Sequence, residues 1–147
     1  MASIIKGQSG QPITFETVPN VNGDDVLTRP DILGTVSRTG SVPTGALIQR
    51  GSNANGEFAR FADGTQICTH QVTEVRTGPG VVQTNWTMPI GFATTGSYIP
   101  TATAATSRPD ILSNISGIRQ SATVFEVYAE RTNDTSTSIY IQAIGRW

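Results

Sequence analysis

Few residues in this sequence are of types that could do chemistry. Cys68 and His70 stand two apart in Thr65-Gln66-Ile67-Cys68-Thr69-His70. On a strand, side chains two apart share a face, so a thiol and an imidazole would be neighbours. A nucleophilic pair also needs a third group to orient the imidazole, and none is evident around it. Cys68 is the lone cysteine, so no internal disulfide can form, and the residue reads as a small buried hydrophobe. Asp24, Asp25, Asp31, Asp63, Glu74 and Asp110 show no spacing that marks the acid and nucleophile of glycoside hydrolysis. Asn22-Gly23-Asp24-Asp25 offers oxygens to calcium but lacks the alternating acids and closing Glu of an EF-hand loop, and reads as a turn. The chain is therefore expected not to be an enzyme and to carry no cofactor.

Recognition of a sugar is the chemistry that remains. It needs an aromatic platform for the apolar face of a pyranose, with polar groups around it that read hydroxyls in fixed directions. Trp86, Tyr98, Tyr128, Tyr140 and Trp147 are the available platforms. Packing is the commoner role of any such ring, and Phe58, Phe61, Phe92 and Phe125 fall at positions that suit a core. Trp147 suits a sheet end or a subunit contact. Trp86, Tyr98 and Tyr140 are taken as the candidate glycan-binding residues, the first two because they lie in a loop-rich segment where recognition concentrates.

The elements that must position these residues read as strands. There are 14 Ile and 11 Val against 4 Leu, and β-branched side chains suit a pleated sheet better than a helix. Ala46 to Gln49, Glu57 to Phe61 and Thr65 to Thr69 are short β-type runs between turn residues, with Asp63-Gly64 set for a tight hairpin. Val124, Glu126, Tyr128 and Glu130 alternate with Phe125, Val127 and Ala129. Beyond Asn133-Asp134, Ile139, Ile141, Ala143 and Gly145 alternate with Tyr140, Gln142, Ile144 and Arg146. These read as two antiparallel strands of a half-buried sheet. The segment Val81 to Thr106 reads as short strands and ordered loops, and no helix is expected. Residues 1–43 lack a sustained period and read as an extended arm with one or two short strands. Arg29-Pro30-Asp31-Ile32-Leu33 recurs as Arg108-Pro109-Asp110-Ile111-Leu112, which could be two equivalent segments or a convergent Pro-started turn.

Composition narrows the partners. Charged residues make up 14% of the chain, against about 25% in ordinary domains, and the 21 threonines are its commonest type. Hydroxyls and amides must therefore wet the surface. Nine arginines accompany the single Lys6, and arginine is the cation favoured in desolvated contacts. A net charge of −1 with no basic run lacks the footprint needed for nucleic acid. No apolar run is long enough for a bilayer span or a secretory signal, so neither membrane insertion nor Sec export is expected.

From Pro43 the text runs PTGALIQRGSNANGEFARFADGTQICTHQ, followed by NWTMPIGF at Asn85 to Phe92 and a close of SIYIQAIGRW at Ser138 to Trp147. A Gly-x-Leu-Ile-x-Arg-Gly opening, a Gly64-Thr65-Gln66-Ile67 hairpin, an aromatic-x-x-Pro-x-x-Phe segment and a terminal Gly-Arg-Trp strand together resemble the C-terminal domain of bacteriophage tail fibres and spikes over residues 43–147. The resemblance implies an all-β antiparallel sandwich, H-type-lectin-like, arranged as a homotrimer. It further implies an arm of residues 1–43 that trimerises and attaches to other virion tail, baseplate or head proteins, and a tip of residues 44–147 that attaches the particle to a host-surface glycan or protein. The protein would be made in the bacterial host cytoplasm and sit on the virion tail or particle surface. A threefold axis could gather three copies of His70 as an axial metal site. Typical fibres carry a long shaft, and only some 43 residues precede the tip here, which favours a short fibre, a spike or a head decoration. The competing readings are a purely structural decoration protein and a capsule depolymerase.

Overall fold

The computed structural model describes residues 20–21, 24–25, 29–74, 80–105, 112–131 and 137–147. Four two-residue strands come first: β1 (Asn20–Val21) pairs with β2 (Asp24–Asp25), and β3 (Arg38–Thr39) pairs with β4 (Val42–Pro43). Eight longer strands follow: β5 (Ile48–Asn53), β6 (Gly56–Phe61), β7 (Thr65–Glu74), β8 (Gly80–Thr87), β9 (Tyr98–Ala104), β10 (Leu112–Arg119), β11 (Val124–Arg131) and β12 (Thr137–Arg146). They form a five-stranded sheet, β5-β6-β7-β12-β9, and a three-stranded sheet, β10-β11-β8, antiparallel throughout. The all-β antiparallel sandwich expected from the sequence is the observed architecture.

Two turns set the register of the first sheet. Asn53 pairs with Gly56 across the β5–β6 turn, and Asn53 Oδ1 adds a side-chain bond by accepting from the Asn55 amide at 2.8 Å. Between β6 and β7 the loop is Ala62-Asp63-Gly64, and Gly64 adopts φ 91° while its amide donates to Phe61 O at 3.0 Å. A positive φ is costly for any residue with a Cβ, and Gly64 supplies it freely.

The terminal alternation is realised residue by residue: Phe125, Val127 and Ala129 are buried, as are Ile139, Ile141 and Ala143. The two strands nevertheless belong to different sheets. β11 lies between β10 and β8, whereas β12 lies between β7 and β9. Each has one apolar face to bury, and facing one another across the sandwich buries both faces against each other. Cys68, Trp86, Met88, Phe92 and Tyr98 complete this core.

One helical turn, α1 (Arg29–Ile32), departs from the expectation of no helix. Pro30 has no amide to leave unpaired at the start of a turn, so the Arg-Pro step initiates it at little cost. Beyond α1, Leu33 bridges Ile48 in parallel, Gly34 N donates to Ile48 O at 3.0 Å, and Ala46 N donates to Thr35 O at 3.0 Å. These residues thus run along the outer edge of β5, with Val36 buried. The division drawn at residue 43 falls at the end of β4. In the second Arg-Pro-Asp-Ile-Leu copy, 108–111 lie outside the described residues.

Candidate functional site

Strand register builds an ordered outer face on the five-stranded sheet. Because side chains alternate, the residues of β12 that do not enter the core, Tyr140, Gln142 and Ile144, point away from it, and their cross-strand partners do the same. Tyr140 stands opposite Gln71 on one side and Thr103 on the other. In the next row Gln142 stands between Thr69 and Thr101, and Thr69 in turn faces Glu57. In the third, Ile144 stands between Ile67 and Ile99, with Ala59 beyond Ile67. Two polar rows carrying one aromatic ring are therefore followed by one apolar row.

The polar rows enclose a groove of about 610 Å³ with Tyr140 at one side, within the roughly 300–1,000 Å³ of small-molecule sites. Glu57 is the one charged side chain among the residues lining it. Tyr140 leaves 53% of its surface exposed. The groove thus offers a ring face, amide groups that both donate and accept, threonine hydroxyls and one carboxylate. Groups within a row are held about 4.8 Å apart by the strand spacing, and successive rows stand about 6.6 Å apart along the strands.

The structure does not bring the three candidate aromatics together. Trp86 is 2% exposed and Tyr98 1%, so neither ring has a face to offer, and their expected role as stacking platforms is corrected to one in the core. Trp86 points inward from β8, and its indole Nε1 donates to Asn55 O at 2.8 Å, which ties the β5–β6 turn to the opposite sheet. Tyr98 stacks on Phe92 with ring centroids 4.8 Å apart, and its hydroxyl bonds to the carbonyls of Ser121 and Val124 at 3.0 and 3.1 Å. Burial also raises the Tyr98 pKa. The segment that holds both reads as short strands and loops because Pro and Gly punctuate it, and each candidate sits on a strand within it. Among the three, Tyr140 alone keeps a free ring.

Cys68 and His70 do share a face, as the spacing requires. Cys68 is fully buried, and desolvation pushes its thiol up to about 11, which keeps it protonated and unreactive near neutrality. Its neighbour Gln66, buried beside it, donates to Ile90 O at 3.3 Å. His70 is half-buried, its ring nearly parallel to Trp86 at 6.4 Å. Among the described residues no group of three or more His, Cys, Asp or Glu gathers as metal ligands. An axial site at His70 would have to draw its ligands from other copies.

One polar constellation escaped the sequence reading. Glu126 lies on the outer face of the three-stranded sheet, yet it is only 4% exposed. Gln83 donates to one of its oxygens and Gln120 to the other, so the amides on either side satisfy the carboxylate. Burial and the adjoining Glu126 raise the Tyr128 phenol. The sign of this site in the sequence is faint, since Gln83 and Gln120 are far apart in the chain and meet only through the registers of β8 and β10 with β11.

The fold of this sandwich is shared with solved tail-fibre structures. The chain is similar to the C-terminal part of the R1 pyocin fiber of P. aeruginosa, with TM-score 0.50 and 19% identity, over 67% of this chain and 28% of that one. It is similar to an N-truncated R1-type pyocin tail fiber at TM-score 0.50 and 20% identity, over 67% of this chain and 84% of that one. The chain thus spans little more than a quarter of the longer fibre. No family model and no curated relative matches the sequence.

Proposed function

We propose that this chain is the receptor-attachment part of a phage-type tail fibre or spike, carried on the virion tail as a homotrimer of H-type-lectin-like sandwiches. Its outer five-stranded face holds a host-surface glycan, with Tyr140 as the stacking platform and Gln71, Gln142, Thr69, Thr101 and Thr103 as the hydroxyl-reading groups. The observation that carries this reading is the exposed Tyr140 ring beside a polar groove on a sandwich that shares its fold with pyocin tail fibres. The protein acts by binding alone. Several weak sites on one trimer, and several trimers on one particle, give avidity without any single tight contact.

The apolar row supports the trimer. Ile99 is 72% exposed and Ile144 44%, adjacent and uncharged, and a second copy would remove them from water. Residues 1–43 serve as the arm that docks to tail, baseplate or head proteins. Glycan-array binding of the whole chain against its Tyr140→Ala variant tests the glycan reading: wild-type signal that disappears in the variant is expected, and equal signal from both overturns it. Light scattering tests the assembly, with three chains per particle expected and a monomer contradicting it.

A further inference from the structure

At the end of the five-stranded sheet beyond the apolar row, two arginines lie over one indole and a third, Arg146, comes close to Gly64. The guanidinium carbon of Arg38 lies 5.0 Å from the Trp147 ring centroid and that of Arg60 5.3 Å. Trp147 is itself fixed, its Nε1 donating to Phe61 O at 3.0 Å and its amide to Gly64 O at 3.1 Å. Arg60 is committed to the structure: its Nε donates to Gln66 Oε1 at 2.7 Å and its Nη2 to Gly91 O at 3.2 Å, and burial lowers its pKa. It braces the indole.

Arg38 and Arg146 differ from Arg60 because both are exposed. Arg38 directs Nη2 to Trp147 O at 3.1 Å, and Arg146 directs Nη1 to Asp63 O at 2.8 Å. They converge above Gly64. The point where a Cβ of residue 64 would stand is 2.4 Å from Arg38 Nη1 and 3.5 Å from Arg146 Nη1. The two nitrogens are therefore no more than about 6 Å apart, and like charges so close repel unless an anion lies between or beside them. A side chain at residue 64 would occupy the space that Arg38 enters.

The neighbouring acid answers this need only in part. Asp63 feels both guanidiniums, but hydrogen bonds from Thr65 are the main cause of its lowered pKa, with the arginines lesser contributors. Its Oδ1 accepts from the Thr65 amide at 2.7 Å and its Oδ2 from Thr65 Oγ1 at 3.0 Å. The carboxylate is thus turned to the hairpin, while beside it Arg38 spends Nη2 on Trp147 O and Arg146 spends Nη1 on Asp63 O and Thr65 Oγ1, which leaves the other nitrogens of each exposed side chain to a further acceptor. Paired guanidinium forks suit the oxygens of a carboxylate or phosphate better than any neutral group.

We propose that Arg38 and Arg146, converging over Gly64, bind an oxyanion, a carboxylate or phosphate, carried by a saccharide of the host surface. The oxyanion part stands on the geometry of the arginines, and the saccharide part rests on the receptor-attachment reading above. The site is separate from the Tyr140 groove: Arg146 is six residue steps along the strand from Tyr140, about 20 Å. A receptor engaging both would need to be long enough to cross the apolar row or to reach two copies.

Calorimetric titration of the whole chain at low salt tests the proposal, with inorganic phosphate, glucuronate, glucose 6-phosphate and glucose as probes. Saturable binding of phosphate and of at least one acidic sugar is expected, with none of glucose; whichever acidic sugar binds more tightly identifies the anion's source. Arg38→Gln and Arg146→Gln should each weaken phosphate binding about tenfold or more, since each removes a charge-assisted hydrogen-bonding partner. Should a glutamine variant fail to fold, the Arg38→Lys and Arg146→Lys pair keeps the charge but loses the fork, and it should still bind less tightly than the wild type. Absence of saturable binding by the wild type, or undiminished phosphate binding in the folded variants, overturns the site. Tyr140→Ala should leave phosphate binding unchanged. If that variant keeps phosphate binding and also binds host cells as well as the wild type, the groove reading fails while the oxyanion site stands.

Discussion

The two faces of the five-stranded sheet are made by the same strands, yet they are chemically opposite. On β12, Ile139, Ile141 and Ala143 enter a dry core, while Tyr140, Gln142 and Ile144 between them face outward. The inner face closes the sandwich with aliphatic groups, a neutral thiol and Tyr98, whose hydroxyl is hydrogen-bonded internally, in one core with Trp86 of the opposite sheet. The outer face carries amides, hydroxyls and an exposed ring, and no element of the described chain folds over it. An aromatic residue's role is therefore decided by the parity of its position. Trp86 and Tyr98 fall on inward positions and hold the fold, whereas Tyr140 falls on an outward position and is free to touch something else.

Substitutions on the two faces should separate accordingly. Trp86→Ala empties a core position and removes the indole bond to Asn55 O, and should lower stability by about 3–5 kcal/mol in urea unfolding. A loss below about 1 kcal/mol would mean the ring is not in the core. Tyr98→Phe keeps the stacked ring but leaves two carbonyls without their donor, so a loss of about 1–3 kcal/mol is expected by the same measurement. Cys68 provides a pH test. Its folded pKa of about 11 exceeds the ordinary thiol value of about 8.5. A neutral buried thiol therefore favours the folded chain below the unfolded value, and that contribution is lost as pH rises through the interval to about 11. Between neutral and strongly alkaline pH the wild type should lose more stability than Cys68→Ala, and equal losses would place the thiol in contact with water. On the outer face, Tyr140→Ala should change stability by no more than about 0.5 kcal/mol. A large loss would mean that the ring packs in the folded unit.

The sequence carries the inner face better than the outer one. The alternation Phe125, Val127, Ala129 and the alternation Ile139, Ile141, Ala143 state which side of each strand is buried, and the structure follows both. Which strands pair is not local information. β12 finds β7 some seventy residues earlier and β9 some forty earlier, and nothing in an alternating run names its partner. Trp86 and Tyr98 were misplaced for a related reason. Val81 to Thr106 reads as short strands joined by loops, too coarse to say which way Trp86 points, whereas β8 runs from Gly80 to Thr87 and takes its order from eight partners on β11. The groove beside Tyr140 depends on five strands in register. The convergence of Arg38 with Arg146 joins residues more than a hundred positions apart, beyond the reach of any spacing rule.

Binding of the intact protein to its host cells, measured for the wild type and for Tyr140→Ala at matched thermal stability, bears most directly on the outer face as a recognition surface. On the proposed attachment role, loss of about tenfold or more in cell binding with an unchanged unfolding midpoint is the predicted result, since one ring removed from every copy of a multivalent assembly would be multiplied. Cell binding equal to that of the wild type would contradict it.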